Sequence, residues 1–123
     1  MKMLIVDDSR FTQLTTSKLL ETYIEDLDIA FAKDGEEGFN KYKELKPDYV
    51  FVDLLMPNIS GQELIRLIKD YDRNSKIFVI SADVQKNVRE EIESLGIIEF
   101  INKPFTGEKA KSVAELIRGD THE

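Results

Sequence analysis

The sequence predicts a single α/β domain in which helices cover both faces of a parallel sheet, and three observations carry that prediction. Four short runs, MLIV from Met3, YVFV from Tyr49, IFVI from Ile77 and IIEFI from Ile97, are almost wholly apolar and rich in β-branched or aromatic residues. Such runs suit strands buried on both faces. Segments with helical period lie between them. The order is strand then helix, five times over, and right-handed crossovers fold that order into a three-layer sandwich.

Taken in order, the strand from Met3 leads into a helix over about residues 10–23, with an irregular apolar stripe of Phe11, Leu14, Leu20 and Ile24. The second strand, LDIAFA from Leu27, carries Asp28 and is the weakest of the five, so it belongs at an edge. Asp34 followed by Glu37 resembles a capping box for a helix bearing Gly38, Phe39, Tyr42 and Leu45, which ends before Pro47. After the strand from Tyr49, the spacing of Gly61, Leu64, Ile65 and Ile68 predicts a third helix. Val84, Val88, Ile92 and Leu95 predict a fourth. The last helix, about residues 106–118, presents Ala110, Val113, Ala114 and Ile117 and stops at Gly119. The tail GDTHE has no evident place, and His122 reads as a solvated terminal residue.

Composition limits the function. A chain of 123 residues with 41% hydrophobic and 33% charged residues suits one globular domain rather than a disordered segment. Twenty-four acidic against seventeen basic residues leave a net charge of −7, which repels nucleic acid and anionic membranes. There is no cysteine for disulfide or thiol chemistry. The start of the chain is unlike a signal peptide, and no apolar run approaches the ~18 residues of a membrane span. A cytoplasmic protein is expected.

In open α/β sheets, ligands bind outside the carboxyl ends of the strands. Asp7 and Asp8 follow the first strand, Asp53 the third, Ser81 the fourth, and Asn102, Lys103 and Pro104 the fifth. Three carboxylates on one edge repel one another and resist ionisation unless a cation sits among them. Oxygen ligands without His or Cys favour Mg²⁺, with Mn²⁺ as a substitute. Lys103 as a point charge and Ser81 as a hydrogen-bond donor would complete a site for a tetrahedral anion, phosphate before others. Each residue alone reads more simply as a helix cap, a turn or a surface charge; their common placement favours chemistry.

With these motifs, the sequence resembles the receiver domain of two-component response regulators, and among them the stand-alone, chemotaxis-type receivers. The likeness runs from residue 3 to about 118. It comprises the acidic pair Asp7 and Asp8, Asp53 in FVDLLMPNISG, Ser81 with Ala82, Lys103 with Pro104, and Phe100 three residues before that lysine. The resemblance implies a flavodoxin-like doubly wound five-stranded parallel sheet of order 2-1-3-4-5 with five helices, a receiver over residues 1–119 and a tail over 120–123. Asp53 is then the phosphoacceptor, served by Lys103 and Ser81. Asp8, Asp53 and the backbone carbonyl of Leu55 ligate Mg²⁺, with Asp7 acting through a water, and the Lys103–Pro104 bond is cis. Ser81 and Phe100 form the switch. Leu55 and Asp83 bear on the lifetime of the phosphorylated state.

The implied function is a phosphorylation-activated switch rather than an enzyme. It takes its phosphoryl group from a sensor histidine kinase and answers to a downstream protein target through the fourth helix, fifth strand and fifth helix. No output domain, nucleic acid or membrane is expected, and the state is a monomer or weak dimer. Chemotaxis-type signalling is the first reading and a phosphorelay intermediate the second. A metal-dependent phosphohydrolase with an aspartate nucleophile would need its second Asp two residues on, where this chain has adjacent aspartates. A scaffold without phosphate acceptance is opposed by the intact Asp8, Asp53 and Lys103. A flavin-binding domain is opposed by the lack of a Ser/Thr/Gly-rich loop after the first strand.

Overall fold

The computed structural model describes residues 1–82 and 85–121, the side chain of Thr121 excepted. Asp83, Val84 and His122, each given a part above, lie outside the described residues. Within these bounds the elements alternate as β1 (Lys2–Val6), α1 (Arg10–Tyr23), β2 (Asp28–Ala32), α2 (Gly35–Leu45), β3 (Tyr49–Val52), α3 (Gly61–Tyr71), β4 (Ile77–Ser81), α4 (Lys86–Glu93), β5 (Glu99–Asn102) and α5 (Gly107–Thr121). Every strand pair is parallel and the order is β2-β1-β3-β4-β5. β2, with Asp28 exposed, is an edge strand as expected. Among the described residues no helix is long and apolar enough to cross a membrane.

Successive side chains of a strand point to opposite faces, so each buried strand feeds two cores. Leu4, Val6, Val50, Val52, Ile77 and Val79 pack with Tyr42 of α2, Leu64, Ile65 and Ile68 of α3, and Ile92 of α4. Met3, Ile5, Phe51, Phe78, Ile80 and Ile101 pack with Leu20 of α1 and Ala110, Val113 and Ile117 of α5. Each fully buried aliphatic or aromatic side chain contributes about 1.5–3 kcal/mol, which is what holds the strand ends in place.

Local signals set the helix ends. The Asp34 carboxylate accepts from the Glu37 N–H at 2.8 Å, and Glu37 accepts from the Lys33 N–H at 2.9 Å, a capping box shifted by one residue at its return bond. α2 ends with Lys46 in the left-handed region (φ 48°), just before Pro47. The α3 stripe is buried as its spacing predicts. In α4, Ile92 is buried and Val88 half-buried, while Leu95 lies beyond the helix end.

Only half of the stripe expected on α1 faces the core: Leu20 is buried and Ile24 packs against the same cluster, whereas its first two residues turn outward. Phe11 and Leu14 are 79% and 40% exposed, and the inward residues are Gln13, Thr16, Ser17 and Leu20. Apolar periodicity fails because the polar members of this face are satisfied by the backbone. The Gln13 amide donates to the carbonyls of Asp7 (2.8 Å) and Ala32 (3.1 Å), and the Ser17 hydroxyl to that of Leu14 (2.9 Å).

α5 also departs from expectation, passing Gly119 and ending at Thr121. A helical glycine costs about 1 kcal/mol, and the turn is anchored beyond it: the Asp120 carboxylate accepts from the Tyr49 hydroxyl at 2.6 Å and pairs with Lys76. Hydrogen bonds from Lys76 and then Tyr49 hold the Asp120 carboxyl below its ordinary value. Such a group contributes stability above its unfolded pKa and loses it as pH falls through the folded one. Asp120→Asn is therefore expected to lower the urea midpoint at pH 7, with the gap to the native chain closing below about pH 4. A gap that stays constant through that range would assign the effect to packing instead.

Candidate functional site

The sheet delivers its polar residues to one edge. Pairing continues one residue past the strands: the Asp7 N–H donates to the Ala32 carbonyl (3.0 Å), Asp53 N–H to that of Val6 (3.0 Å), and Lys103 N–H to that of Ser81 (2.9 Å). Asp7, Asp53, Ser81 and Lys103 thus arrive together at the carboxyl ends of β1, β3, β4 and β5. Asp8 follows at the surface, and oxygens of Asp7, Asp8 and Asp53 lie within 4.8 Å of one another. Neither Asp7 nor Asp8 is the helix cap. Ser9 caps α1, its hydroxyl accepting from the Thr12 N–H at 3.2 Å, while Asp7 Oδ1 accepts from the Ser9 N–H at 2.9 Å.

The Lys103 ammonium bridges two of the carboxylates, 3.1 Å from Asp7 Oδ2 and 3.4 Å from Asp53 Oδ2. Both acids are buried, 4% and 5% exposed. Burial raises the Asp53 carboxyl above its ordinary pKa; Lys103 pulls it back down, Asp7 pushes it up, and the net shift is upward. Burial would lower Lys103, but the charges of Asp53 and Asp7 outweigh it and its pKa rises. The two shifts agree with one arrangement: a desolvated acid that resists ionisation beside an ammonium that resists neutralisation. Three carboxylates face one cation, so the cluster retains negative charge.

The remaining expected residues fall into two groups. Ser81 is fully buried at the end of β4, joined to Lys103 through the backbone. Leu55 is exposed at the rim, its N–H donating to Asp53 Oδ1 at 3.4 Å, and the Lys103–Pro104 bond is cis. Phe100 stands apart from the acids. It is buried in the core under α4, with the Arg89 guanidinium 5.2 Å from its ring centroid. The Asn102 side-chain oxygen is buried without a hydrogen-bond partner.

The sequence carries no sign of the supporting roles of two residues, Gln13 and the Gly61 already placed in the third helix. Gln13 ties the Asp7 carbonyl to the end of β2; its spacing from Thr16 and Leu20 was a helix stripe that opened on a polar residue. Gly61 starts α3 directly behind the acceptor. A Cβ there would lie 2.4 Å from the Asp53 carbonyl oxygen and 2.5 Å from Leu54 Cα.

The sequence profile described as the response regulator receiver domain matches residues 3–115. The chain belongs to that family. The receiver is 38% identical over 104 residues to the chemotaxis protein CheY of Thermotoga maritima, covering 85% of this chain and 86% of that one. It is 35% identical over 121 residues to a protein-glutamate methylesterase/protein-glutamine glutaminase of Geobacter sulfurreducens, covering 98% of this chain and 32% of that protein. It therefore spans about a third of the length of such methylesterase relatives. Its fold superimposes on a chain of the CheX–CheY–BeF3–Mg²⁺ complex of Borrelia burgdorferi with a TM-score of 0.87, at 29% identity over 94% of this chain and 88% of that one. The receiver is thus CheY-like, of the two-component signalling class, and receiver domains are signalling switches rather than enzymes with a turnover of their own.

Two substitutions test the geometry. Gly61→Ala forces backbone apart behind Asp53 and is expected to destabilise the receiver by about 1–3 kcal/mol in urea unfolding; no loss would mean that α3 can shift freely. A raised carboxyl pKa contributes stability at low pH that is lost as pH rises through the folded value. Asp53→Asn is accordingly expected to raise the urea midpoint at pH 7 in chelator-containing buffer, the advantage shrinking as pH falls toward about 4. A variant less stable than the native receiver at pH 7 would show the Lys103 pairing to outweigh the burial of Asp53.

Proposed function

We propose that the chain is a phosphorylation-activated switch that accepts a phosphoryl group from the phosphohistidine of a sensor kinase onto Asp53, in chemotaxis-type two-component signalling. The single observation that carries this reading is the buried Asp53 carboxylate at 3.4 Å from Lys103, within an acid trio whose charge one lysine does not balance. An Asp53 oxygen attacks phosphorus, the P–N bond to the imidazole breaks, and the proton that neutralises the leaving imidazole comes from solvent or the kinase. Lys103 holds a phosphoryl oxygen once Asp53 has given up its charge to the new bond. The Ser81 hydroxyl turns toward the same oxygens from the end of β4.

The donor set fits Mg²⁺: hard oxygens, no His or Cys, and an uncompensated charge. Asp7 already spends one oxygen on the Ser9 N–H and the other on Lys103, whereas Asp8 is exposed and bonded to nothing among the described residues. That division supports Asp8, Asp53 and the Leu55 carbonyl as direct ligands and Asp7 as a ligand through water. Bound there, Mg²⁺ supplies charge neutralisation for the trio and the incoming phosphoryl oxygens. The solved complex of a Borrelia burgdorferi CheY with Mg²⁺ and BeF3 supports a divalent cation in a chain of this fold.

The phosphorylated state is read through Ser81 and Phe100. Movement of Ser81 toward the phosphoryl group shifts the end of β4 and changes the packing of Phe100 beneath Arg89. The surface of α4, β5 and α5, which holds a groove of about 330 Å³ with exposed Leu116 at its wall, is the face offered to a downstream protein.

Incubation with acetyl phosphate and Mg²⁺ is expected to add one phosphoryl mass to the native chain, none to Asp53→Asn, and to require about tenfold more Mg²⁺ for Asp8→Asn, a charged ligand being lost. No gain by the native chain, or an equal gain by Asp53→Asn, would overturn the mechanism. Continuous release of phosphate from an ester substrate would restore the phosphohydrolase alternative.

A further inference from the structure

The lysine that joins the two buried acids is itself bracketed by a second lysine. Lys109 lies in the first turn of α5, where its backbone N–H donates to the Thr106 hydroxyl at 3.3 Å. A cation in that turn faces the positive end of the helix dipole, an unfavourable placement. Its ammonium pairs with no carboxylate among the described residues. It turns back instead onto two backbone carbonyls, those of Asn102 at 2.6 Å and Pro104 at 3.0 Å. These carbonyls stand on either side of Lys103.

The backbone at this point needs such support. β5 is an edge strand, so a carbonyl on its outer side has no neighbouring strand to bond. On its inner side the Lys103 backbone is held, among the described residues, by the bond from its N–H to the Ser81 carbonyl at 2.9 Å. A segment held by one bond can rotate about it, and a small backbone rotation is magnified at the tip of a four-carbon side chain. Two hydrogen bonds to a charged donor, each stronger than a neutral one, remove that freedom from the opposite side.

We propose that Lys109 is a positioning residue for phosphoryl uptake: it clamps the carbonyls of Asn102 and Pro104 and so fixes the backbone from which Lys103 reaches Asp53. The reaction it serves rests on the function proposed above, whereas the clamp rests on its own geometry. Lys109 touches neither Asp53 nor the metal ligands, and acts only through Lys103.

Two readouts separate the clamp from the reaction. The first is the rate of phosphoryl gain from acetyl phosphate with Mg²⁺, followed by intact mass. The second is amide hydrogen exchange at Lys103, which requires no phosphorylation. Lys109→Met is expected to slow uptake about tenfold and to speed exchange of the Lys103 N–H about tenfold, while exchange at Ile101 is unchanged. Lys109→Arg, which keeps the charge and the donors, is expected to stay within about threefold of the native chain in both. In a Lys103→Met background, adding Lys109→Met is expected to change the uptake rate no further, because the effect passes through Lys103. Native exchange at Lys103 in Lys109→Met, or the same loss of rate with Lys103 already removed, overturns the clamp. Failure of the native chain to take up phosphate overturns the proposed function instead, and the exchange measurement still decides the clamp.

Discussion

An ammonium held between two buried carboxylates is the interaction on which the rest of this receiver depends. Asp7, Asp53 and Lys103 come from the ends of β1, β3 and β5, and β4 lies between the last two. Neighbouring strands are about 4.8 Å apart, so the side chain from β5 must cross the end of β4 to meet Asp53. A lysine has the reach, and the fully buried Ser81 at the end of β4 is small enough to be crossed. Strand order, side-chain length and the size of the intervening residue therefore form one constraint.

That arrangement opposes stability. Desolvating carboxylates costs several kcal/mol per ion even after relaxation, and one ammonium does not neutralise three acids. The surroundings are built to tolerate it: the hydrophobic layers on both faces of β1 and β3 hold the strand ends in register, Gln13 ties the Asp7 turn to β2, and Gly61 lets α3 close on the back of Asp53. Stability is concentrated in the sheet centre, and the strain is placed where the proposed cation and phosphoryl group would relieve it.

How much of this was legible in the sequence depended on whether apolar pattern and position carried the information. The strands from Met3, Tyr49 and Ile77 were readable because buried parallel strands are nearly all apolar, and the edge position of β2 was readable from Asp28. The acid trio and Lys103 were readable because strand ends converge whatever the loops do. The inner face of α1 was not, since Gln13 and Ser17 are buried through backbone hydrogen bonds that hydropathy cannot register. The end of α5 was misread for a related reason. Gly119 is a local stop signal, and the contacts of Asp120 with Tyr49 and Lys76, far apart in sequence, override it. Nothing in the sequence singles out Lys109, because its partners are main-chain carbonyls, which leave no mark in composition.

The distribution of helix anchorage indicates where a change at Asp53 can travel. α3 buries Leu64, Ile65 and Ile68 and is capped by Ser60, whose hydroxyl accepts from the Glu63 N–H. α4 has eight residues and, among the described residues, buries only Ile92. At about 1.5–3 kcal/mol per buried aliphatic side chain, α4 is more cheaply displaced than α3. It also follows Ser81 along the chain and covers Phe100 through Arg89. Elements held by few buried contacts open first. In the proposed switch, a pull on Ser81 would therefore meet firm resistance at β3 and α3 and less at α4, which favours the side of the molecule where α4, β5 and α5 meet the surface as the face that responds.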